Sequence, residues 1–234
     1  MSEFKWWHER SDGHGITTSV EVKLLHSEQS PYQLVEIYDH QSFGRLLVLD
    51  GYIQASQADE FIYHEMAVHV PLLGRERKDA SVLIIGGGDG GILRESLKHD
   101  FVTSVTMVEI DRRVVDLAKE YLAVNGDYND PRVTLIIDNA ANFVSQAVKD
   151  GKRYDLIVLD LTEPVGPSSC LFTETFLTEV VSLVSETGVI LDSDSIYLSK
   201  TGGDFLQEVS GEGDNLVTVM QRTALGVAGL EAAD

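Results

Sequence analysis

The stretch Val82-Leu-Ile-Ile-Gly-Gly-Gly-Asp-Gly-Gly-Ile-Leu-Arg94 decides the fold of this chain, because an apolar run leads directly into glycines and then into a helical pattern. Gly86, Gly88 and Gly90 form a G-x-G-x-G pattern, and Gly86, Gly88 and Gly91 also satisfy G-x-G-x-x-G. Glycine has no Cβ, so its backbone can turn sharply and lie against a ligand. The pattern predicts a strand-to-helix turn that binds a nucleoside or a dinucleotide, and its spacing does not separate the two.

An acidic residue at the end of the next predicted strand strengthens this prediction. Glu109 lies in Met107-Val-Glu-Ile-Asp111, twenty-three positions after Gly86. A carboxylate at that position can accept hydrogen bonds from both ribose hydroxyls. The alternative without a ligand is that the glycines form only a tight turn and that Glu109 is an exposed residue at the end of a strand. Asp89 favours an S-adenosyl compound over a dinucleotide, because a carboxylate in the loop repels a pyrophosphate and attracts a sulfonium.

The residues around the glycine loop indicate an α/β protein. Short apolar runs alternate with amphipathic segments, as in a mostly parallel sheet with crossover helices. The predicted strands of this sheet are 81–85, 105–109, 133–137, 156–159 and 189–191.

The N-terminal part has a different pattern. β-Branched and aromatic residues with turn signals over 16–54 predict antiparallel hairpins, and a helix is predicted over 59–73. We therefore predict a small β-hairpin domain over 1–60 and a Rossmann-like domain over 61–234.

A second acidic cluster follows the fourth predicted strand of the sheet. The segment Tyr154-Asp-Leu-Ile-Val-Leu-Asp-Leu-Thr-Glu-Pro-Val-Gly-Pro167 is a buried strand followed by a proline-containing loop. In an open parallel sheet the ligand lies at the carboxyl ends of the strands, so Asp160 and Glu163 should face the same crevice as the glycine loop. A catalytic base belongs in this position. The alternative is that Asp160 simply caps a turn.

Composition excludes several classes of partner. The 234 residues include 18 Lys and Arg against 38 Asp and Glu, which gives a formal net charge of −20. Such a charge repels the phosphate backbone of a nucleic acid, so nucleic acid is not expected as a partner. It attracts a polyamine, although the acidic residues can also serve only to keep the protein soluble. No apolar run is long enough to span a membrane, and the single cysteine, Cys170, fits a cytoplasmic protein.

Several motifs together resemble the spermidine synthases, which are polyamine aminopropyltransferases. The motifs are Phe43-Gly-Arg-Leu-Leu-Val-Leu-Asp-Gly51, Asp59-Glu-Phe-Ile-Tyr-His-Glu-Met66, the glycine loop, Met107–Asp111 and the Asp160 to Pro167 segment, in the family's order and spacing. The resemblance implies a Rossmann-like fold of the class I S-adenosylmethionine-dependent transferase type. It also implies transfer of an aminopropyl group from decarboxylated S-adenosylmethionine, as co-substrate, to an amine such as putrescine, giving spermidine and 5′-methylthioadenosine. No permanently bound cofactor and no metal are implied, and the assembly implied is a homodimer.

The resemblance also implies roles for individual residues. Asp160 corresponds to the general base, and Tyr63 to a hydrogen-bonding partner beside it. The amine is held by His64, Asp89, Asp160 and Glu163. The nucleoside site is formed by Gln33, Gln54, Gly86, Gly88, Asp89, Glu109, Asn139, Ala140 and Pro167.

Three departures from the family leave alternatives open. Glu163 stands where the family usually has Asp, so the acceptor amine can differ. Asn139-Ala140 replaces Asp-Gly, which removes a charge from the adenine site. We expect a divergent, shortened C-terminus without the family's aromatic Tyr-Pro lid. The alternatives are a methyl- or aminocarboxypropyl-transferase that uses S-adenosylmethionine itself, and a non-catalytic paralogue that binds a nucleoside or a polyamine.

Overall fold

The computed structural model describes residues 3–10, 17–74, 79–162, 166–192 and 195–198. The N-terminal part is an antiparallel sheet in which each strand pairs with the next along the chain. Its five strands are β1 (Lys5–His8), β2 (Ser19–Gln29), β3 (Leu34–His40), β4 (Gly44–Leu49) and β5 (Tyr52–Ser56). The helix α1 (Glu60–Gly74) then connects this sheet to the rest of the chain.

The second sheet has six strands in the order β11-β10-β9-β6-β7-β8. These strands are β6 (Ala80–Gly86), β7 (Val102–Glu109), β8 (Val133–Ile137), β9 (Tyr154–Asp160), β10 (Val184–Asp192) and β11 (Ser195–Leu198). The elements between them are α2 (Gly91–Leu97), α3 (Arg112–Tyr121), α4 (Ala140–Lys149), a 3-10 helix (Gly166–Phe172) and α5 (Glu174–Ser182). All neighbouring strands are parallel except β11, which runs antiparallel to β10.

The fold predicted from the sequence is confirmed. All five predicted strands of the parallel sheet are present, four of them longer than predicted, and the predicted helix over 59–73 corresponds to α1. The central strands β6 and β9 are buried on both faces, which explains their unbroken apolar runs. Among the described residues, no helix has the length and apolar character needed to cross a bilayer.

Sheet order determines where the site lies. β9 and β7 flank β6, with Gly86 opposite Asp160 in one register and Ile85 opposite Val108 in the other. The carboxyl ends of these three strands therefore bring the glycine loop, Glu109 and Asp160 to one edge of the sheet. Helix α1 packs against α2, and the N-terminal sheet contacts α3 through a shared apolar cluster.

The glycines of the loop are required by close contacts rather than by turn geometry alone. Gly86 has a φ of +83°, and a Cβ placed there would lie 2.0 Å from the carbonyl oxygen of Asp160. A Cβ at Gly91 would lie 2.2 Å from Nδ1 of His64. The chain thus keeps β9 and α1 directly against the loop.

Candidate active site

Two cavities meet at the edge of the parallel sheet. The first cavity, with a volume of about 200 Å³, lies between the N-terminal sheet and the carboxyl ends of β6, β7 and β9. The second cavity, of about 340 Å³, lies between β4, β5 and α1. Three residues line both cavities, namely Gln54, Asp89 and Asp160. A molecule in one cavity therefore reaches the same two carboxylates as a molecule in the other.

Eight of the nine residues predicted for a nucleoside site line the first cavity. They are Gln33, Gln54, Gly86, Gly88, Asp89, Glu109, Asn139 and Ala140. The ninth, Pro167, belongs to the 3-10 helix after β9. Of the predicted amine-binding residues, His64, Asp89 and Asp160 line the second cavity, as does Tyr63, while Glu163 lies outside the described residues.

Glu109 ends β7 and is only 8% exposed. Its Oε1 accepts a hydrogen bond of 2.8 Å from the backbone N–H of Asp111, and its Oε2 would lie 3.0 Å from a Cβ at Gly88. Burial, reinforced by the nearby carboxylates of Asp111 and Asp160, raises the pKa of Glu109 to about 7 against the effect of the backbone hydrogen bonds. A ligand that donates hydrogen bonds to this carboxylate will stabilise its charged form.

Other polar residues of the first cavity have their own partners. The Gln33 side chain donates to Asp111 Oδ2 over 3.2 Å, and Ser30 Oγ donates to the same oxygen over 2.6 Å. Asn139 caps the N-terminus of α4, where its Oδ1 accepts from the backbone N–H of Ala141 at 2.9 Å. Capping uses one of the two lone pairs of that oxygen, so Asn139 retains one for a ligand.

Asp160 is held at the boundary of the two cavities. The Tyr63 hydroxyl donates a hydrogen bond of 2.9 Å to Asp160 Oδ1, although the two residues are 97 positions apart. Burial and the negative charge of Asp89 raise the pKa of Asp160 to about 6, while His64 and the Tyr63 hydroxyl oppose the rise. Burial and the carboxylate of Asp160 raise the pKa of Tyr63 far above its usual value, so its hydroxyl keeps its proton and stays a donor. Near neutral pH, Asp160 is thus an ionised carboxylate that can accept a proton.

His64 lies between two carboxylates. Its Nδ1 is 2.5 Å from Glu60 Oε2, and its Nε2 is 3.4 Å from Asp89 Oδ2. Burial alone would lower the pKa of His64, but Asp89, Asp160 and Glu60 outweigh it and raise that pKa to about 9. Burial would likewise raise the pKa of Asp89, but its pairing with His64 holds that pKa below the usual value.

The same cluster has donor atoms of the kinds that bind metal ions. The ligand atoms of His64, Asp89 and Asp160 lie within 4.8 Å of one another, which a metal ion could bridge. A histidine that is protonated on both nitrogens offers no lone pair to a metal, which disfavours a metal ion at this cluster. The absence of a metal stays a prediction.

Sequence reasoning missed two residues of this site. Glu60 joins His64 to Arg94, whose two terminal nitrogens each lie 2.9 Å from an oxygen of Glu60. The spacing of Glu60 and His64, i and i+4 on one helix, is a signal that could have found the first pair. Nothing in the local sequence indicates that Arg94 of α2 completes it.

Family models match almost the whole chain. Residues 60–210 match the spermine/spermidine synthase domain, and residues 5–57 match the spermidine synthase tetramerisation domain. Among curated proteins, the polyamine aminopropyltransferase of Shigella boydii is 42% identical over 89% of this chain and 69% of its own length. That of Klebsiella pneumoniae is 40% identical over 92% of this chain and 72% of its own length. The resemblance inferred from the motifs is confirmed.

Solved structures give the same result. A spermidine synthase in complex with the transition state analogue AdoDATO superposes with a TM-score of 0.74 at 34% identity, and covers 81% of this chain. The spermidine synthase of Thermotoga maritima gives a TM-score of 0.72 at 34% identity over the same share. This chain spans 66% and 65% of those two chains, which is just under two thirds of their length.

Proposed function

The chain belongs to the spermine/spermidine synthase family, and we propose that it transfers the aminopropyl group of decarboxylated S-adenosylmethionine to an amine. The observation that supports this most directly is the meeting of two cavities at Asp160, whose carboxylate is held by Tyr63. A transfer reaction needs a donor and an acceptor on opposite sides of one reacting centre, with a base beside the nucleophile.

The proposed reaction is an in-line displacement. The acceptor nitrogen forms a bond to the carbon next to the sulfonium as the carbon–sulfur bond breaks, and the electron pair of that bond goes to sulfur. The products are an elongated polyamine and the neutral thioether 5′-methylthioadenosine. Before the attack, the acceptor ammonium loses a proton to Asp160, which is ionised near neutral pH, and this frees the lone pair of the nitrogen.

The first cavity suits the nucleoside of the donor. In the proposed assignment, Glu109 accepts from the ribose hydroxyls, and Asn139 and Ala140 face the adenine. Gln33 supports the same end of the cavity through Asp111, and the glycines let the loop approach the ligand. The roles of Gln54 and Pro167 beside the methylthioadenosine moiety remain part of this proposal.

The second cavity suits an aliphatic amine. Its lining combines apolar side chains, including Phe43, Leu46 and Ile53, with carboxylates that include Asp59 and Asp160. An alkyl diamine such as putrescine has the same combination of an apolar chain and cationic ends, and the net charge of −20 attracts it. Glu163 lies outside the described residues, and its role in holding the far amine of the acceptor remains part of this proposal.

Asp89 supports the decarboxylated donor. Its carboxylate lines both cavities, so the carboxylate of intact S-adenosylmethionine would be placed next to a like charge. The pairing of Asp89 with His64 reduces this repulsion, which keeps aminocarboxypropyl or methyl transfer as the alternative to be tested.

One experiment tests the proposal against its alternatives. The protein is incubated with decarboxylated or intact S-adenosylmethionine and a panel of mono-, di- and triamines, and the products are identified by mass spectrometry. We expect methylthioadenosine and an amine heavier by one aminopropyl group, from the decarboxylated donor alone. A product formed from intact S-adenosylmethionine would show that the proposed donor is wrong. Tight nucleoside binding without any product would support a binding protein.

Assembly into several copies is part of the same proposal. The match of residues 5–57 to a tetramerisation domain supports association, and the smallest such assembly is the homodimer expected from the resemblance. Light scattering after size exclusion distinguishes two copies from four. A cytoplasmic location also belongs to the proposal and rests on the single cysteine.

A further inference from the structure

A chain of four charged groups runs beneath the second cavity, from Arg94 through Glu60 and His64 to Asp89. Arg94 Nη1 and Nη2 bind the two oxygens of Glu60 at 2.9 Å each. Glu60 Oε2 faces His64 Nδ1 at 2.5 Å, and His64 Nε2 faces Asp89 Oδ2 at 3.4 Å. Positive and negative groups alternate in this row of four, so each group stabilises the charged form of its neighbours.

Packing fixes Glu60 and His64 in single orientations. Their side chains are only 7% and 3% exposed, and the planar guanidinium of Arg94 binds both oxygens of Glu60. Arg94 is itself anchored, because its Nη1 also donates to the carbonyl oxygen of Val124 and its Nε to Glu95. The His64 ring also lies against Gly91, where a Cβ would overlap it. The ring therefore packs closely against the start of α2 on this side.

The surroundings of His64 favour a doubly protonated ring. The ionisable groups that face it are Glu60 and Tyr63 from its own helix, Asp89 from the glycine loop and Asp160 from β9. Three of the four are carboxylic acids, and both ring nitrogens face one of them. The raised pKa of His64 agrees with this geometry.

We propose that Glu60, fixed by Arg94, is a positioning residue that keeps His64 protonated with its Nε2–H directed at Asp89. This inference rests on the proposed aminopropyl transfer. The attacking amine must lose its proton, and an uncompensated Asp89 beside it would stabilise the ammonium form. Protonated His64 offsets that charge and also lowers the pKa of Asp160, so the base is ionised at neutral pH.

The kinetic test uses Glu60→Gln, which keeps the size of the side chain and removes its charge. We expect the acid limb of the pH–rate profile to move to higher pH by about one unit, so that kcat falls about twofold at pH 7 and about fivefold at pH 6. The KM of the amine should change little, because loss of the Glu60 charge and of the His64 proton together leaves the net charge of the cavity lining unchanged. Glu65→Gln, an exposed neighbour on the same helix, is the matched control and should leave the profile unchanged.

A further pair of variants tests whether Glu60 acts through His64. In a His64→Gln background, Glu60→Gln should shift the pH profile no further, since the group that it positions is gone. A purely structural Glu60 would instead lower stability in both backgrounds and leave the wild-type profile in place. That outcome, or an unchanged kcat in folded Glu60→Gln, would overturn the proposal.

An NMR titration separates this proposal from the proposed function. In the substrate-free protein, the ring signals of His64, assigned by their loss in His64→Gln, should titrate near pH 9 in wild type and at lower pH in Glu60→Gln. Should Glu60→Gln fail to fold, Arg94→Lys keeps the charge without the planar fork and should give a smaller shift in the same direction. An identical His64 titration in the folded variant refutes the role of Glu60 even if no amine is a substrate. Absence of transfer with an intact titration shift refutes only the proposed reaction.

Discussion

The affinity of the first cavity for methylthioadenosine should depend on pH through Glu109. Burial raises the pKa of this carboxyl group to about 7 in the ligand-free protein. Ribose hydroxyls donate hydrogen bonds, so they bind the ionised carboxylate better than the protonated form. Binding should therefore release a proton from Glu109 below pH 7, and the affinity should weaken as the pH falls through 7.

The structure sets the size of this effect. With a pKa of about 7, roughly one tenth of Glu109 is ionised at pH 6 and roughly nine tenths at pH 8, which corresponds to about a tenfold difference in affinity. Glu109→Gln removes the charge and should cost about 1.5–3 kcal/mol of binding free energy at pH 8. That loss corresponds to a dissociation constant weaker by about 10- to 150-fold. Below pH 6 the difference between variant and wild type should shrink, because wild-type Glu109 is also uncharged there.

Isothermal titration calorimetry with methylthioadenosine between pH 5.5 and 8.5, in buffers of different ionisation enthalpy, measures both the affinity and the proton release. Asp160→Asn is the control, because Asp160 lies at the same cavity and has a pKa raised to about 6. The variant should keep the pH dependence if Glu109 is its source, with the midpoint moved somewhat to lower pH because the Asp160 charge that helps to raise the pKa of Glu109 is gone. A wild-type affinity that does not change with pH, or an equal affinity in folded Glu109→Gln, would remove Glu109 from the ribose site.

The other predictions concern the base, its partner and the glycine loop. Asp160→Asn should lower kcat by about 10²–10⁴ while methylthioadenosine binding survives, and equal turnover in a product assay would reject Asp160 as the base. Tyr63→Phe removes the 2.9 Å hydrogen bond to Asp160, so the pKa of that carboxyl should rise and the acid limb of kcat should move to higher pH; an unmoved limb would contradict the contact. Gly88→Ala places a Cβ 2.7 Å from Cγ1 of Val114, so it should lower the free energy of unfolding by about 1–3 kcal/mol and weaken nucleoside binding. Gly74→Ala is the control and should do neither, because no neighbouring atom of the described residues lies within 4 Å of its added Cβ. Denaturant unfolding of the two variants provides the comparison.

Much of the fold follows from local sequence patterns. The run Val82 to Ile85 is apolar at every position because β6 is buried on both faces, and the glycines after it are needed where β9 and α1 contact the loop. Strand ends on one edge of a parallel sheet bring their side chains together, which is why Glu109 and Asp160 could be predicted at one crevice. The several motifs in register also indicated the family, which the matching family models confirm.

The sequence by itself therefore predicted the class of fold, the glycine loop, and the meeting of Asp89, Glu109 and Asp160 at one edge of the sheet. Tertiary structure alone decided how these carboxylates are charged. The partners of Glu60 and Asp89, and the burial that raises the pKa of Glu109, come from α1, α2 and the sheet edge packing together. Local patterns record which face of an element is buried, but a pKa depends on every charge and every exclusion of water within a few ångströms. For this site, several such neighbours lie far apart in the sequence and meet only in the folded chain, as Tyr63 and Asp160 do.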